Sequence, residues 1–214
     1  METCVIFCAG GFDQLLEPVK DGGFVIAADG GLAHLEKLGI RPGEIIGDFD
    51  SLGYVPEDAR VFPVEKDDTD ELLAIRRGLS LGYKRFVLYG CLDGPRLDHT
   101  IASLLSLQFL ADRDAQGYLV GLNYLAAVVQ NGTISFPETA RGILSLFCMG
   151  KDARGVTLTG LKYPLTAAAV TAGFPIGVSN HFIGEPAAVT VRDGSLLALY
   201  DRVNGFPIHK EDTP

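Results

Sequence analysis

The chain has 214 residues, 47% hydrophobic and 21% charged, with 27 acidic against 18 basic side chains and a net charge of −9. That length allows one large domain or two small ones, and that apolar content excludes a disordered chain. The acid excess excludes nucleic acid as the main partner, which would select a basic face, and suits a protein that handles anions through a metal. Met1-Glu2-Thr3 opens with an acid and no basic segment precedes the first apolar run, so no secretory leader is expected. The most apolar stretches, Tyr118 to Val129 and Leu165 to Val178, are interrupted by Asn, Gly, Thr or Pro and are too short to span a bilayer. A cytoplasmic protein with no membrane partner is expected. Cys4, Cys8, Cys91 and Cys148 form no C-x-x-C pair, and buried free thiols are the expectation.

Taken in order, Cys4 to Cys8 reads as a first strand closed by Ala9-Gly10-Gly11. Phe24 to Ala28 is a second, ending in Asp29-Gly30-Gly31. A helix over Leu32 to Leu38 turns Leu32, Leu35 and Leu38 to one face and stops at Gly39. Glu44 to Ile46 is a third strand and delivers Gly47-Asp48-Phe49-Asp50-Ser51. Lys66-Asp67-Asp68-Thr69-Asp70-Glu71 opens a helix that runs to about Leu81 with Leu72, Ile75 and Leu79 inward. Arg85 to Tyr89 is a fourth strand, a helix follows from about His99 to Ala111, and Tyr118 to Leu122 is a fifth strand. Strands alternating with helices predict a mostly parallel sheet with right-handed crossovers.

After Val129 the pattern changes to short β-leaning runs. Asn131-Gly132 between Ala126-Val129 and Thr133-Phe136 signals a hairpin. Ile143-Cys148, Val156-Thr159, Ala187-Arg192 and Ser195-Tyr200 follow, with Asp193-Gly194 as a second tight-turn signal. The expected architecture is therefore an α/β domain with a mostly parallel, Rossmann-like sheet over residues 1–129, then a small all-β sandwich over 130–214. His209 to Pro214 reads as a frayed tail.

Four acidic or glycine-rich stretches fall at the ends of predicted elements: Asp29-Gly30-Gly31, Asp48-Phe49-Asp50, Asp68-Thr69-Asp70 and Gly94-Pro95-Arg96-Leu97-Asp98-His99. Loops after parallel strands converge on one sheet edge, so these can share a site. In an extended or turning backbone Asp48 and Asp50 can converge on one point, and Mg²⁺ takes such carboxylates together with substrate phosphates. The same residues also make an ordinary polar turn. Asp68 and Glu71 have the spacing of a capping box, which would account for both, while Asp98 could cap the helix that follows it. Arg96 offers a guanidinium fork to a phosphate. Gly30-Gly31 suits either a phosphate cradle or a plain turn. His99 reads as a ligand contact or a surface residue, with His34 on a helix and His181 and His209 in loops. No G-x-x-x-x-G-K-[ST] is present, which excludes a P-loop.

The order of motifs is more telling than any one of them. Ala28-Asp29-Gly30-Gly31, Leu38-Gly39-Ile40-Arg41-Pro42, Ile46-Gly47-Asp48-Phe49-Asp50-Ser51, Lys66-Asp67-Asp68-Thr69-Asp70 and Arg96-Leu97-Asp98-His99 together resemble the thiamine pyrophosphokinase family. Gly160-Leu161-Lys162-Tyr163-Pro164-Leu165 and Gly177-Val178-Ser179-Asn180 extend the resemblance over nearly the whole chain. It implies a homodimer that moves the pyrophosphoryl group of ATP onto the hydroxyl of thiamine, giving thiamine diphosphate and AMP. It further implies Asp48, Asp50 and Asp70 as Mg²⁺ ligands, and Asp29, Gly30, Gly31, Arg96, Asp98 and His99 as the nucleotide and phosphate stretch. Tyr163, Ser179 and Asn180 fall to a thiamine site at the subunit interface. The chemistry is consistent with the residues, since phosphoryl transfer is mostly positioning and charge neutralisation. Outside the resemblance, D-x-D after a strand also suits a phosphatase with an Asp nucleophile, a nucleotide-sugar transferase or a non-catalytic binding module.

Overall fold

The computed structural model describes residues 2–19, 23–49, 53–63 and 67–211. The chain divides into two compact units, Met1–Ser106 with Asp112–Leu122, and Leu107–Ala111 with Asn123–Pro214. In chain order the first holds β1 (Thr3–Phe7), β2 (Phe24–Ala28), α1 (Leu32–Leu38), β3 (Glu44–Gly47), β4 (Ala59–Val61), α2 (Asp70–Ser80), β5 (Arg85–Tyr89), most of α3 (Leu97–Ala111) and β6 (Gln116–Val120). The second holds β7 (Tyr124–Phe136), β8 (Ile143–Cys148), β9 (Ala153–Thr159), β10 (Leu165–Val170), β11 (Asn180–His181), β12 (Ala187–Asp201) and β13 (Ile208–Glu211).

In the first unit every strand pair is parallel, in the order β6-β5-β1-β2-β3-β4. The strands are short continuous apolar runs because both faces are covered: Val25 to Ala28 and Phe86 to Tyr89 are buried without alternation. α2 packs Ala74, Ile75 and Gly78 inward, and a side chain on Gly78 would strike the Phe86 ring and Cys4 Sγ. Fully buried Leu35, Ile46 and Ile75 each contribute about 1.5–3 kcal/mol relative to exposure. The chain leaves β1 toward β2 on one side, and the strand on its other side is β5. Winding therefore reverses between β1 and β5, and such a switch point opens a crevice at the carboxyl ends of the strands.

The second unit is antiparallel. Here the two expected hairpins are not hairpins. Ala126-Val129 and Thr133-Phe136 belong to the single strand β7, and Ala187-Arg192 and Ser195-Tyr200 to the single strand β12. The turn residues are bulges that face each other. Asn131 (φ 45°) lies opposite Arg192-Asp193-Gly194, Gly194 has φ 101°, and its N–H donates to Asn131 Oδ1 at 3.0 Å. Left-handed backbone serves a bulge as well as a hairpin turn, so the local signal was sound and its reading was not. At the bulge β12 changes neighbour, from β9 before it to β8 after it.

Ile208 to Glu211 pair with Gly132 to Ser135 of β7, so His209 to Glu211, the start of the segment read as a frayed tail, are in a strand. His181 and His209, expected in loops, lie in β11 and β13. Among the described residues no helix is long and apolar enough to cross a membrane.

Candidate active site

The crevice is a cleft of about 750 Å³, lined entirely by residues of the first unit. Each wall is a segment that follows a parallel strand. Cys8 to Gly10 follow β1, Asp29 follows β2, Asp48 follows β3, Gly90 and Cys91 follow β5, and Asp68 to Glu71 lead from β4 into α2. Gly94 to Arg96 and His99 come from the loop before α3 and its first turn. Four aspartates from three connections, Asp29, Asp48, Asp68 and Asp70, thus share one cavity with a guanidinium and an imidazole.

The backbone is strained where acids enter. Asp29 has φ 47°, and Phe49, with its ring buried, has φ 61°; such conformations cost a non-glycine residue about 1–3 kcal/mol and cluster at functional sites. Phe49 is left-handed, so the backbone turns just after Asp48, one of the two courses the sequence allowed. Asp50 lies outside the described residues. Gly47 brings the two acidic loops together, since a Cβ there would come within 3.0 Å of the Asp29 Cα. Gly31 is also a packing glycine, because a Cβ would meet the Phe7 carbonyl oxygen at 1.9 Å.

Of the expected nucleotide residues, Asp29, Arg96 and His99 line the cleft, and Gly30, Gly31 and Asp98 are not in its lining. Arg96 and Asp98 form an exposed pair at 2.6 Å, and this hydrogen bond lowers the Asp98 pKa while raising that of Arg96. α3 begins at Leu97, so Asp98 sits inside the first turn rather than capping it. The loop leading to Arg96 is pinned by Asp93, whose carboxylate accepts from the Leu122 N–H at 2.7 Å and whose carbonyl accepts from Gly11 N–H at 2.9 Å.

The capping-box reading of Asp68 and Glu71 is overturned. Thr69 is the N-cap of α2, its Oγ1 accepting from the Leu72 N–H at 3.2 Å, and Asp68 pairs with Arg76 at 2.9 Å. Glu71 instead points into the cleft floor, where its carboxyl meets Ser103 Oγ. The same hydroxyl is 3.0 Å from the His99 carbonyl oxygen. Burial pushes the Glu71 pKa up, against the lowering effect of Ser103, Ser106 and Cys91. Glu71 was missed as a cleft residue because its partner is 32 positions away.

In the second unit, Asn180 is buried and its carboxamide is spent on backbone. Its Oδ1 accepts from the N–H groups of Tyr163 and His181, both at 2.9 Å, and its Nδ2 donates to the Tyr163 carbonyl at 2.8 Å. The latch leaves the Tyr163 side chain exposed, with Lys162 Nζ 5.4 Å from its ring centroid. Ser179, left-handed at φ 59°, donates its N–H to Ser145 Oγ at 3.0 Å.

Two family models match the chain, one described as the catalytic domain of thiamin pyrophosphokinase over residues 15–119 and one as the vitamin B1 binding domain of the same enzyme over residues 132–196. Thiamine pyrophosphokinase of Bacillus subtilis (strain 168) is 27% identical over an alignment of 192 residues that covers 81% of this chain and 85% of that one. A crystal structure of the Bacillus subtilis thiamine pyrophosphokinase superposes with a TM-score of 0.81 at 24% identity, covering 94% of this chain and 99% of that chain. A thiamin pyrophosphokinase family protein from Enterococcus faecalis superposes with a TM-score of 0.78 at 26% identity, covering 94% and 99%.

Proposed function

The chain belongs to the thiamin pyrophosphokinase family, and from that premise we propose that the cleft is where it transfers the pyrophosphoryl group of ATP to the hydroxyl of thiamine, releasing thiamine diphosphate and AMP. The observation that carries the reading is the meeting of Asp29, Asp48, Asp70, Arg96 and His99, drawn from well-separated parts of the chain, in one cavity.

Asp48, Asp50 and Asp70 are the proposed Mg²⁺ ligands. The donor set supports that ion, since Asp48 and Asp70 offer only carboxylate oxygen to the cavity and Mg²⁺ prefers a few carboxylates beside substrate phosphates. When bound, Mg²⁺ neutralises phosphate charge and offsets the charge that develops during transfer. Arg96 exchanges its exposed pairing with Asp98 for phosphate oxygens, for which a guanidinium fork is suited. Asp29, with Gly30 and Gly31, and Asp98 with His99 complete the nucleotide stretch. A carboxylate of the cluster accepts the proton of the attacking hydroxyl. Buried strands beneath the cleft keep these groups in place, so little reorganisation is left for the reaction itself.

Thiamine is assigned to the second unit, through the exposed Tyr163 ring, Ser179 and Asn180, the last acting by holding the Tyr163 backbone. The finer architecture proposed is a Rossmann-like domain over 1–129 and a β-sandwich over 130–214. The enzyme is further read as a cytoplasmic homodimer with the thiamine site at the subunit interface.

The test is to incubate the protein with MgATP and thiamine and identify the nucleotide product by chromatography. AMP is expected. ADP would make it a monophosphoryl kinase, and absence of turnover by folded protein would leave a binding module.

A further inference from the structure

The mechanism above leaves a second cluster in the same cleft unused. Cys8 immediately follows β1 and Cys91 lies two residues after β5, the two strands between which winding reverses. Cys8 Sγ, Cys91 Sγ and a Glu71 carboxylate oxygen lie within 4.8 Å of one another, and all three residues line the cavity. Of the other two cysteines, Cys4 is sealed in the core and Cys148 Sγ lies 3.0 Å from the Val170 carbonyl oxygen; Cys91 Sγ likewise lies 3.6 Å from the Tyr89 carbonyl oxygen, but Cys8 and Cys91 also face each other. Packing accounts for Cys4. It does not account for two thiols facing each other across a cavity floor beside a carboxyl.

Glu71 supplies an independent observation. Its Oε2 meets Ser103; its buried Oε1 has no hydrogen-bond partner of ordinary length and angle among the described residues, although Ser106 and Cys91 lie close enough to lower the carboxyl's pKa. We infer that Cys8, Cys91 and Glu71 form a binding site for a thiophilic divalent cation of the Zn²⁺ class, separate from the oxygen-only Mg²⁺ ligands proposed for Asp48, Asp50 and Asp70.

The geometry suits that ion. Zn²⁺ takes sulfur at about 2.3 Å and carboxylate oxygen at about 2.0–2.2 Å, which places two sulfurs on a tetrahedral ion roughly 3.7 Å apart. The cluster reaches this by closing about 1 Å at most, which side-chain rotation can supply. Three protein ligands leave the fourth position open to the cleft. Mg²⁺ is a poor competitor there, because thiolate sulfur selects softer ions. Binding releases protons. The Cys8–Cys91 hydrogen bond and burial push Cys91 well above the ordinary thiol range. That bond lowers Cys8, but burial and the charges of Glu71, Asp70 and Asp29 raise it by more. Affinity therefore rises with pH.

The probe is Co²⁺, a spectroscopic stand-in for Zn²⁺, added to full-length protein kept reduced by a non-thiol reductant. One equivalent is expected to give thiolate-to-cobalt charge-transfer absorption, bleached by one equivalent of Zn²⁺ and untouched by excess Mg²⁺. The bands should vanish in the double variant Cys8→Ser with Cys91→Ser, and persist in Cys148→Ser. Glu71→Gln should keep the charge-transfer band with affinity about tenfold or more weaker, in line with the usual loss on disturbing a metal's surroundings. No charge-transfer band in folded, reduced wild-type protein would overturn the site, as would a band that survives in the double variant. Should that variant not fold, cadmium NMR of the wild-type protein counts sulfur ligands directly: two are expected, and one or none overturns the proposal.

Discussion

The parallel unit and the antiparallel unit spend backbone irregularity in different places. In the first, left-handed non-glycine residues such as Asp29 and Phe49 come just past a strand end, where the chain is about to turn. In the second, Asn131, Gly194 and Ala167 (φ 46°) lie inside strands. A parallel strand buried on both faces tolerates little in its interior, so variation is pushed to its carboxyl end, where the loops gather acids around a cavity. An antiparallel strand with one freer face tolerates bulges, and uses them to change neighbours without ending. Irregularity gathers acids around a cavity in one unit and mostly shapes strands in the other, where left-handed Ser179, just before β11, is the exception.

The sharpest break of that comparison is Asp48→Asn, which keeps the shape of the first unit and removes a charge from its cleft. Turnover should fall about 10²–10³-fold, the usual scale for losing one preorganised electrostatic contact, with the melting temperature little changed. Near-normal turnover in such a variant would end the metal assignment.

Asn180→Ala attacks the second unit. It leaves the backbone groups of Tyr163 and His181 without their partner, which should cost about 3 kcal/mol of stability. At a temperature where the variant stays folded, KM for thiamine should rise while KM for ATP holds. Equal change in both would show that the latch does not serve the thiamine side.

Gly194→Ala probes shape alone. The residue needs φ 101°, and an added Cβ would approach the Asp152 carbonyl oxygen at 3.0 Å. A loss of about 2 kcal/mol in denaturant unfolding is expected, with kcat preserved at low temperature. The smallest effect belongs to Arg76→Ala, which removes the part-exposed ion pair with Asp68. About 0.2–1 kcal/mol is the range for such pairs, so a loss of several kcal/mol would mean that Asp68 is positioned by Arg76 for the cleft.

Much of the first unit was legible because its strands are uninterrupted apolar runs closed by Gly and Asp, and the convergence of Asp29, Asp48 and Asp70 follows from parallel topology. The edges were harder. β4 is Ala59-Arg60-Val61 and β10 is Leu-Thr-Ala-Ala-Ala-Val, with little of the burial that marks a strand. They are strands because β3 and β9 offer them backbone partners. Most of β13, His209 to Glu211, looked like a tail for the same reason, the strand being held by β7. Glu71 misled in another way, since an acid in a helix's first turn has one sequence signature whether it caps the helix or faces a cavity.

What the sequence determined by itself was local: where apolar runs begin and end, which positions need left-handed backbone, and which acids stand at those ends. Apolar periodicity and the steric freedom of Gly and Asn act over a few residues, so they can be read from a few residues. What only the tertiary structure decided was pairing at a distance. Asn131 meets Gly194 across 63 positions, so two turn signals became one pair of facing bulges. Glu71 meets Ser103, and Cys8 meets Cys91, for the same reason. Contact between remote residues is set by how whole elements stack to bury surface, and no short window of sequence carries that energy.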